Sequence, residues 1–325
     1  MGRSPLIRCG MKSRPVRSDR HVTHSGRILA FVLAGGEGRR LRPLTADRAK
    51  PAVRFAGDYR IIDFALANLV NSLVAPIYVL AQYKPDSLIE HLRRAWCPHW
   101  PVRARLPATA EGYGGTADAV YRSLELIERH RPQAVAVFAA DHVYRMDVRQ
   151  MARFHAARNA DVTVAAISVP VETASSFGVM AVRPDGIIDE FEEKPAAPRP
   201  VPGNARLAYV SMGNYLFKPA SLKAVLEQVI GCGGADFGRH ILPGLPGSGY
   251  RALAYDFARN KVPGVRDYEE PAYWRDVGTL EALDQARRDV AGRRPRLDLR
   301  NPAWPIGPER ARGIDLPQRL ARASA

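Results

Sequence analysis

Cysteine is scarce in this chain, with three among 325 residues: Cys9, Cys97 and Cys232. Their spacing fits neither a metal knuckle nor a redox pair, and the odd number argues against a disulfide framework. A reducing cytoplasm is the expected compartment. Long hydrophobic runs are missing as well, since no stretch reaches the roughly 18 apolar residues needed to cross a bilayer. One short run, Ile28–Ala34 (ILAFVLA) behind Arg27, has the outline of a signal-peptide core. It enters a glycine-rich loop at once and reads instead as a buried first strand. No internal repeat is visible.

Acidic residues are also in short supply. Against 48 Lys and Arg stand 33 Asp and Glu, a net charge of +15. That total has the look of a nucleic-acid binder, but its distribution does not. Residues 1–27 carry seven basic residues and one Asp, and residues 287–325 carry ten Arg and four acids, which leaves only +3 for residues 28–286. The basicity belongs to the two ends, as solvated tails or contact points for acidic partners. Neither nucleic acid nor membrane is an expected partner. The Arg-rich, acid-poor residues 1–27 imitate a transit peptide, but a disordered extension, or a start at Met11, accounts for them equally.

What is present is an ordinary globular composition, 46% hydrophobic, over a length that suits one large α/β domain with or without an appendage. From residue 28 onwards strand and helix signals alternate. Strands are expected at Ile28–Ala34, Ile77–Ala81, Ala134–Ala140, Asp161–Val169 and Tyr209–Phe217. Helices are expected at Ile61–Leu73, Asp86–Trp96, Thr116–His130, Val148–Arg158 and Ser221–Ile230. Fully apolar strands alternating with amphipathic helices imply a parallel sheet covered on both faces. Val179–Val182 and Ile187–Phe191 flank Pro184-Asp185-Gly186 and read as a hairpin. Residues 195–203 form a proline-rich loop, and regular pattern fades after Asp289. The expected division is a basic extension over 1–27, a catalytic domain over 28–290 and an Arg/Pro-rich tail over 291–325.

Four motifs carry candidate chemistry. Leu33–Leu41 (LAGGEGRRL) ends the first strand; close glycines let backbone N–H groups converge on phosphate oxygens, with Arg40, Arg42 and Lys50 nearby as counter-charges. The dinucleotide fingerprint fails because Leu41 stands where its third glycine belongs, and no Gly-Lys-Ser/Thr follows for a Walker loop. A tight turn in which the glycines serve geometry alone is the competing account. Asp141 in FAADHVY follows a buried strand and so sits at the carboxyl edge of the sheet, where open α/β sheets bind ligands; capping the next turn is the alternative. Its neighbour His142 is assigned no catalytic role, because adjacent side chains rarely point the same way. Asp276 in YWRDVGT stands at an expected strand-to-helix junction, as a metal-holding carboxylate or as the N-cap of a helix starting near Thr279. Two carboxylates at one sheet mouth suit Mg²⁺ on a nucleotide, since that ion takes few carboxylates plus phosphate oxygens. Finally, Glu193 and Lys194 in FEEKP suit sugar hydroxyls and a phosphate monoester, or form a solvated charge cluster.

In combination these segments resemble the bacterial glucose-1-phosphate adenylyltransferases. The likeness is ordered along residues 28–290: LAGGEGRRLRPLTADRAKPAV, YRIIDFALANLVNS, LAQYK, GTADAVY, ADHVYRMD, SSFGVMAV, FEEKP, VSMGNYLF, ADFGRHILP and YWRDVGTLEA. The resemblance implies a Rossmann-like nucleotidyltransferase domain with a mixed, mostly parallel central sheet covered by helices on both faces. It implies adenylyl transfer from ATP to glucose 1-phosphate with Mg²⁺, giving ADP-glucose and pyrophosphate for α-glucan synthesis. By similarity, Leu33, Ala34, Gly35, Gly36 and Gly38 would wrap the nucleotide, with Gln82, Gly115 and Thr116 near its base. Arg40 and Lys50 would take the phosphates, and Asp141 and Asp276 the metal, Asp141 counting as catalytic with them. Lys194 would grip the sugar phosphate, while Tyr113, Gly178, Glu193 and Ser211 line the sugar site.

The chain departs from the family in three places. The family usually continues into a C-terminal β-helix of hexapeptide repeats, whereas an Arg-rich tail follows NPAWPIG here. The Pro-Ala-Gln-Gln-Arg loop is replaced by Pro107-Ala108 running into TAEGYGG, and Asp47 stands where some members carry an activator-binding Lys. A homo-oligomer and a hetero-oligomer with a full-length relative both stay open. So do two other functions, a related UTP- or dTTP-dependent pyrophosphorylase and a poorly active regulatory homologue. The regulatory reading expects loss among Lys50, Asp141, Lys194 and Asp276, all of which are present.

Overall fold

The computed structural model describes residues 27–307. The expected basic extension, apart from Arg27, and residues 308–325 of the expected tail lie outside the described residues. In chain order the first half contains β1 (Ile28–Ala34), β2 (Arg54–Ala56), β3 (Tyr59–Arg60), α1 (Ile61–Asn71), β4 (Ile77–Ala81), α2 (Asp86–His91), β5 (Val102–Arg105), α3 (Thr116–Tyr121), α4 (Leu124–His130), β6 (Ala134–Ala139) and β7 (His142–Tyr144). The second half contains α5 (Val148–Ala157), β8 (Val162–Pro170), α6 (Val171–Ala174), β9 (Gly178–Val182), β10 (Ile188–Glu193), β11 (Leu207–Phe217), α7 (Pro219–Gly231), β12 (Ala252–Asp256), β13 (Trp274–Asp276) and α8 (Leu280–Asp289).

Strand β1 shows why the sheet is buried on both sides. Successive side chains of a strand point to opposite faces. Leu29 and Phe31 enter one apolar cluster with α3, α4 and α7 through Val120, Leu126, Ile127, Leu222 and Val225. Ala30, Val32 and Ala34 enter the other, with Leu66 and Leu69 of α1, Leu88 of α2 and Met151 of α5. Each large apolar side chain withdrawn from water in this way contributes about 1.5–3 kcal/mol. The strand has no polar face because it has no wet face.

Among the described residues nine strands form one sheet, in the order β10-β9-β11-β6-β1-β4-β5, with β8 on β11 and β12 on β8. β5, β4, β1 and β6 pair in parallel, as do β8 and β12. β11 is antiparallel to β6, β8 and β9, and β10 is antiparallel to β9. Only β10 and β11 therefore run against the rest, which makes the sheet mixed and mostly parallel. The register of β11 against β8 shifts between Ser211 and Tyr215, around Gly213 at φ 71°. Separate small pairings join β13 to β7 and β2 to β3.

Three sequence expectations change. The helix expected over Thr116–His130 is two helices, because the buried Ser123 hydroxyl donates to the Ala119 carbonyl at 3.0 Å and competes with the helical ladder there. The helix expected over Asp86–Trp96 widens after His91, seating the buried Trp96 so that its indole N–H donates to Asp63 at 2.8 Å. The tail expected from residue 291 is, up to residue 307, packed onto the domain. Leu297 and Ile306 are buried in one cluster with Leu41, Phe55, Phe64 and Leu283, and Trp304 is fully buried. Arg145, itself buried, binds Glu269 at 2.9 Å and donates to the Asp298 carbonyl, which fastens this segment from beneath.

Candidate active site

The C-terminal ends of β1, β4 and β6, the hairpin β9–β10 and the irregular stretch of β11 surround a cavity of about 500 Å³. β1 delivers the glycine-rich loop directly into it. Gly35 and Gly36 line the wall, and a Cβ on Gly36 would meet nothing within 4 Å, so its backbone faces open space. Gly38 does different work. It adopts φ 63°, and a Cβ there would lie 2.8 Å from the Cβ of Lys50. Its carbonyl accepts from the Thr45 hydroxyl at 2.9 Å, which folds the loop back so that Arg40 and Lys50 reach the cavity. The competing geometric account thus holds for Gly38, while Gly36 presents its backbone to the pocket.

At the opposite side, the chain bends between β6 and β7 at Asp141, and β13 pairs beside β7 to bring Asp276 opposite His142. Two carboxylates 135 positions apart thereby meet around one ammonium. Lys50 Nζ lies 2.9 Å from Asp141 Oδ2 and 3.3 Å from Asp276 Oδ1, with its side chain only 8% exposed. Burial pulls the Lys50 ammonium towards neutrality, but the charges of Asp141 and Asp276 outweigh it and raise its pKa. Burial likewise pushes the Asp141 carboxyl up, yet Lys50, and then His142, hold it well below the usual carboxylate range. The α8 cap falls to Thr279, whose hydroxyl accepts from the Ala282 amide at 3.2 Å, so Asp276 is released from the capping role.

His142, expected to point away from its neighbour, instead turns its ring towards both carboxylates. Ligand atoms of Asp141, His142 and Asp276 all lie within 4.8 Å of one another. His142 Nε2 stands 3.6 Å from Asp141 and 3.9 Å from Asp276. Adjacent residues converge here because the chain turns at Asp141 as it leaves one sheet and joins another pairing. Two carboxylates with an imidazole form a donor set able to hold a divalent cation, and two carboxylates leave room for phosphate oxygens to complete the shell of Mg²⁺.

The hairpin β9–β10 supplies the third wall. Gly178 is required by close approach: a Cβ would overlap the ring of Phe191 and lie 3.0 Å from Glu193 Oε2. Lys194 leaves β10 in the left-handed region at φ 52°, its amide donating to the Phe177 carbonyl at 3.0 Å. That turn carries its side chain, 57% exposed, alongside the cavity and 3.4 Å from Glu193. Ser211 of β11 stands on the same wall. On the remaining side Thr116, the first residue of α3, donates from its hydroxyl to Asp236, and Tyr113 donates its amide to the Gln82 side chain. The loop departing from the family pattern therefore closes directly on Gln82.

Of the residues expected from the sequence, Leu33, Gly35, Gly36, Arg40, Lys50, Gln82, Tyr113, Gly115, Thr116, Asp141, Gly178, Glu193, Lys194, Ser211 and Asp276 all line this cavity. Ala34 is buried beneath it, and Gly38 shapes the loop from behind. The sequence reading missed Phe177, Gly213, Tyr215, Asp236 and Phe237, which also line the wall. Their signal lay inside the strings SSFGVMAV, VSMGNYLF and ADFGRHILP, but no chemistry marked them individually. Among the described residues no helix is long and apolar enough to cross a membrane.

Residues 29–293 match the Nucleotidyl transferase family. A glucose-1-phosphate adenylyltransferase of Thermodesulfovibrio yellowstonii is 48% identical over 295 residues, covering 88% of this chain and 72% of the relative. The protein of the same description from Thermus thermophilus is 47% identical, covering 86% and 70% respectively. Glucose-1-phosphate adenylyltransferase 1 of Vibrio parahaemolyticus is 42% identical over the same shares of the two chains.

Proposed function

This chain belongs to the glucose-1-phosphate adenylyltransferases of the nucleotidyl transferase family, and from that membership we infer that it transfers the adenylyl group of ATP to glucose 1-phosphate. A phosphate oxygen of the sugar phosphate attacks the α-phosphorus, the new P–O bond forms, and the bond to the β-phosphate breaks with release of pyrophosphate. No proton has to be taken from the nucleophile, which is already an anion. The work of the site is therefore positioning and charge neutralisation.

The observation that carries this reading is the convergence of Lys50, Asp141 and Asp276 at one end of the cavity with Glu193 and Lys194 at its side. Gly35 and Gly36 offer backbone to the nucleotide, supported by Leu33, Ala34 and Gly38, and Gln82, Gly115 and Thr116 surround the base. Arg40 and Lys50 take the triphosphate charge. Lys194 binds the phosphate of the second substrate, and Tyr113, Gly178, Glu193 and Ser211 fit its sugar. Asp141 and Asp276, with His142 Nε2 beside them, are the residues that would hold Mg²⁺. Bound there, the ion would neutralise charge building on the phosphates. Lys50, Asp141, Lys194 and Asp276, among which a regulatory homologue is expected to lose some, are all in place, which favours catalysis. A place in glycogen or related α-glucan synthesis, and a cytoplasmic location, follow from the product.

Asp141→Asn tests the reading. The substitution keeps the side chain's shape, and turnover is expected to fall by two or more orders of magnitude, a loss of about 2.7 kcal/mol or more in transition-state stabilisation. A folded Asp141→Asn protein that retains wild-type pyrophosphate release would remove Asp141 from the chemistry.

A further inference from the structure

The Lys50 ammonium lies between the two carboxylates that would hold a divalent ion. Its Nζ bridges Asp141 Oδ2 at 2.9 Å and Asp276 Oδ1 at 3.3 Å, and these carboxylates are two of the three groups whose ligand atoms cluster within 4.8 Å. An ion held by both carboxylates would stand within a few ångströms of that ammonium, and like charges so close in a partly desolvated site repel strongly. The ammonium cannot withdraw by moving its backbone. Gly38 packs against the first carbon of the Lys50 side chain, with no room for a Cβ between them, and the residue is buried. What can move is the flexible end of the four-carbon stem, and it needs a second anionic partner to move towards. Phosphate oxygens on the glycine-rich loop, where Gly36 and Arg40 line the same cavity, are such a partner.

We propose that Lys50 is a built-in counter-ion that keeps divalent metal out of the nucleotide-free site, and that the nucleotide's phosphates draw it off the two carboxylates so that metal and nucleotide bind as a coupled pair. This rests on the reading of the cavity as a metal–nucleotide site given above. Coupling is reciprocal: whatever factor the nucleotide adds to metal affinity, the metal adds to nucleotide affinity. Lys50 is thus a gate as well as a phosphate ligand. It prevents the two carboxylates from loading a metal ion that no nucleotide accompanies.

The test is Mn²⁺ binding to the full chain, followed by the electron paramagnetic resonance of the free ion, with no turnover required. Without nucleotide, Lys50→Met is expected to bind Mn²⁺ at least about tenfold more tightly than wild type, while Lys50→Arg, which keeps the charge, stays weak. Adding α,β-methylene-ATP should tighten Mn²⁺ binding strongly in wild type and much less in Lys50→Met. Asp141→Asn in the Met background should abolish the gain. The proposal is overturned if Lys50→Met binds Mn²⁺ no more tightly than wild type, or if the gain survives Asp141→Asn. Should Lys50→Met fail to fold by thermal melting, Lys50→Gln supplies the same reading. The two accounts fail separately. A tightened Mn²⁺ site without any pyrophosphate release keeps the gate and removes the enzymatic function, and turnover with unchanged Mn²⁺ binding does the reverse.

Discussion

Thr116 donates a hydrogen bond from Oγ1 to Oδ2 of Asp236 at 2.9 Å, and the same oxygen accepts the Phe237 amide at 3.0 Å. One hydroxyl thereby joins the start of α3 to a turn 120 residues further along, and both sides of the joint line the cavity. Thr116→Val keeps the shape and removes both bonds. It is expected to destabilise the fold by about 1–3 kcal/mol, since it strands two polar groups. A fall in kcat/KM of about tenfold should accompany it as the walls lose their mutual position. Thr116→Ser should restore most of both. Urea melts and steady-state kinetics check this, and a valine variant with wild-type kcat/KM would remove the positioning role.

Lys194 is a separable contribution. Because its side chain is 57% exposed and meets Glu193 only at 3.4 Å, Lys194→Gln should change stability by less than about 0.5 kcal/mol. Losing a charge-assisted bond to the sugar phosphate should raise the KM for that substrate about tenfold or more, with the KM for ATP little changed. Equal changes in both KM values would argue against the assignment.

Acid sensitivity has a named source away from the cavity. His155 of α5 is buried, with Nδ1 2.8 Å from the Thr163 hydroxyl oxygen. Burial first, then the Lys218 charge, lower its pKa to about 4, with Asp161 opposing. The folded state thus favours neutral imidazole, while the unfolded chain takes up a proton near pH 6.5. The contribution is complete above that value and is lost as pH falls towards 4, at most about 3 kcal/mol. Stability measured by urea at pH 8 and pH 5 should differ less in His155→Leu than in wild type. An unchanged difference would place the acid sensitivity elsewhere.

The segment beyond Val290 should matter to the fold. Trp304 is fully buried, and its indole N–H donates to Asn68 Oδ1 at 3.3 Å. Trp304→Ala is expected to cost about 3–5 kcal/mol, as for other buried aromatic truncations. Substrate KM values should hold at temperatures where the variant stays folded. A variant that melts with wild type would mean this segment only rests on the surface.

Much of this architecture was legible in the sequence because apolar strands buried on both faces leave an unmistakable trace: Ile28–Ala34 and Ile77–Ala81 appear with the expected bounds. Edge strands leave less. β5 reads Val-Arg-Ala-Arg, and one face of it is wet, so composition did not mark it. From residue 291 arginine and proline mask the few anchors, Leu297, Trp304 and Ile306, that hold the segment up to residue 307 against the domain. In the site, the loop glycines, Asp141 and Lys194 stand in motifs that each admit a purely structural alternative, and only their ordered combination points to one cavity. The ammonium between two carboxylates did not, since Lys50 and Asp276 lie 226 positions apart and nothing in one dimension brings them together. Neighbouring side chains ordinarily diverge, and the bend at Asp141 is what turns the His142 ring towards the same point.

The most direct measurement is pyrophosphate release across a matrix of nucleoside triphosphates and sugar 1-phosphates with Mg²⁺, read as kcat/KM for each pair. The account predicts the highest value for ATP with glucose 1-phosphate and ADP-glucose as the product. A higher value for UTP or dTTP, or no release with any of the common triphosphates, would contradict it.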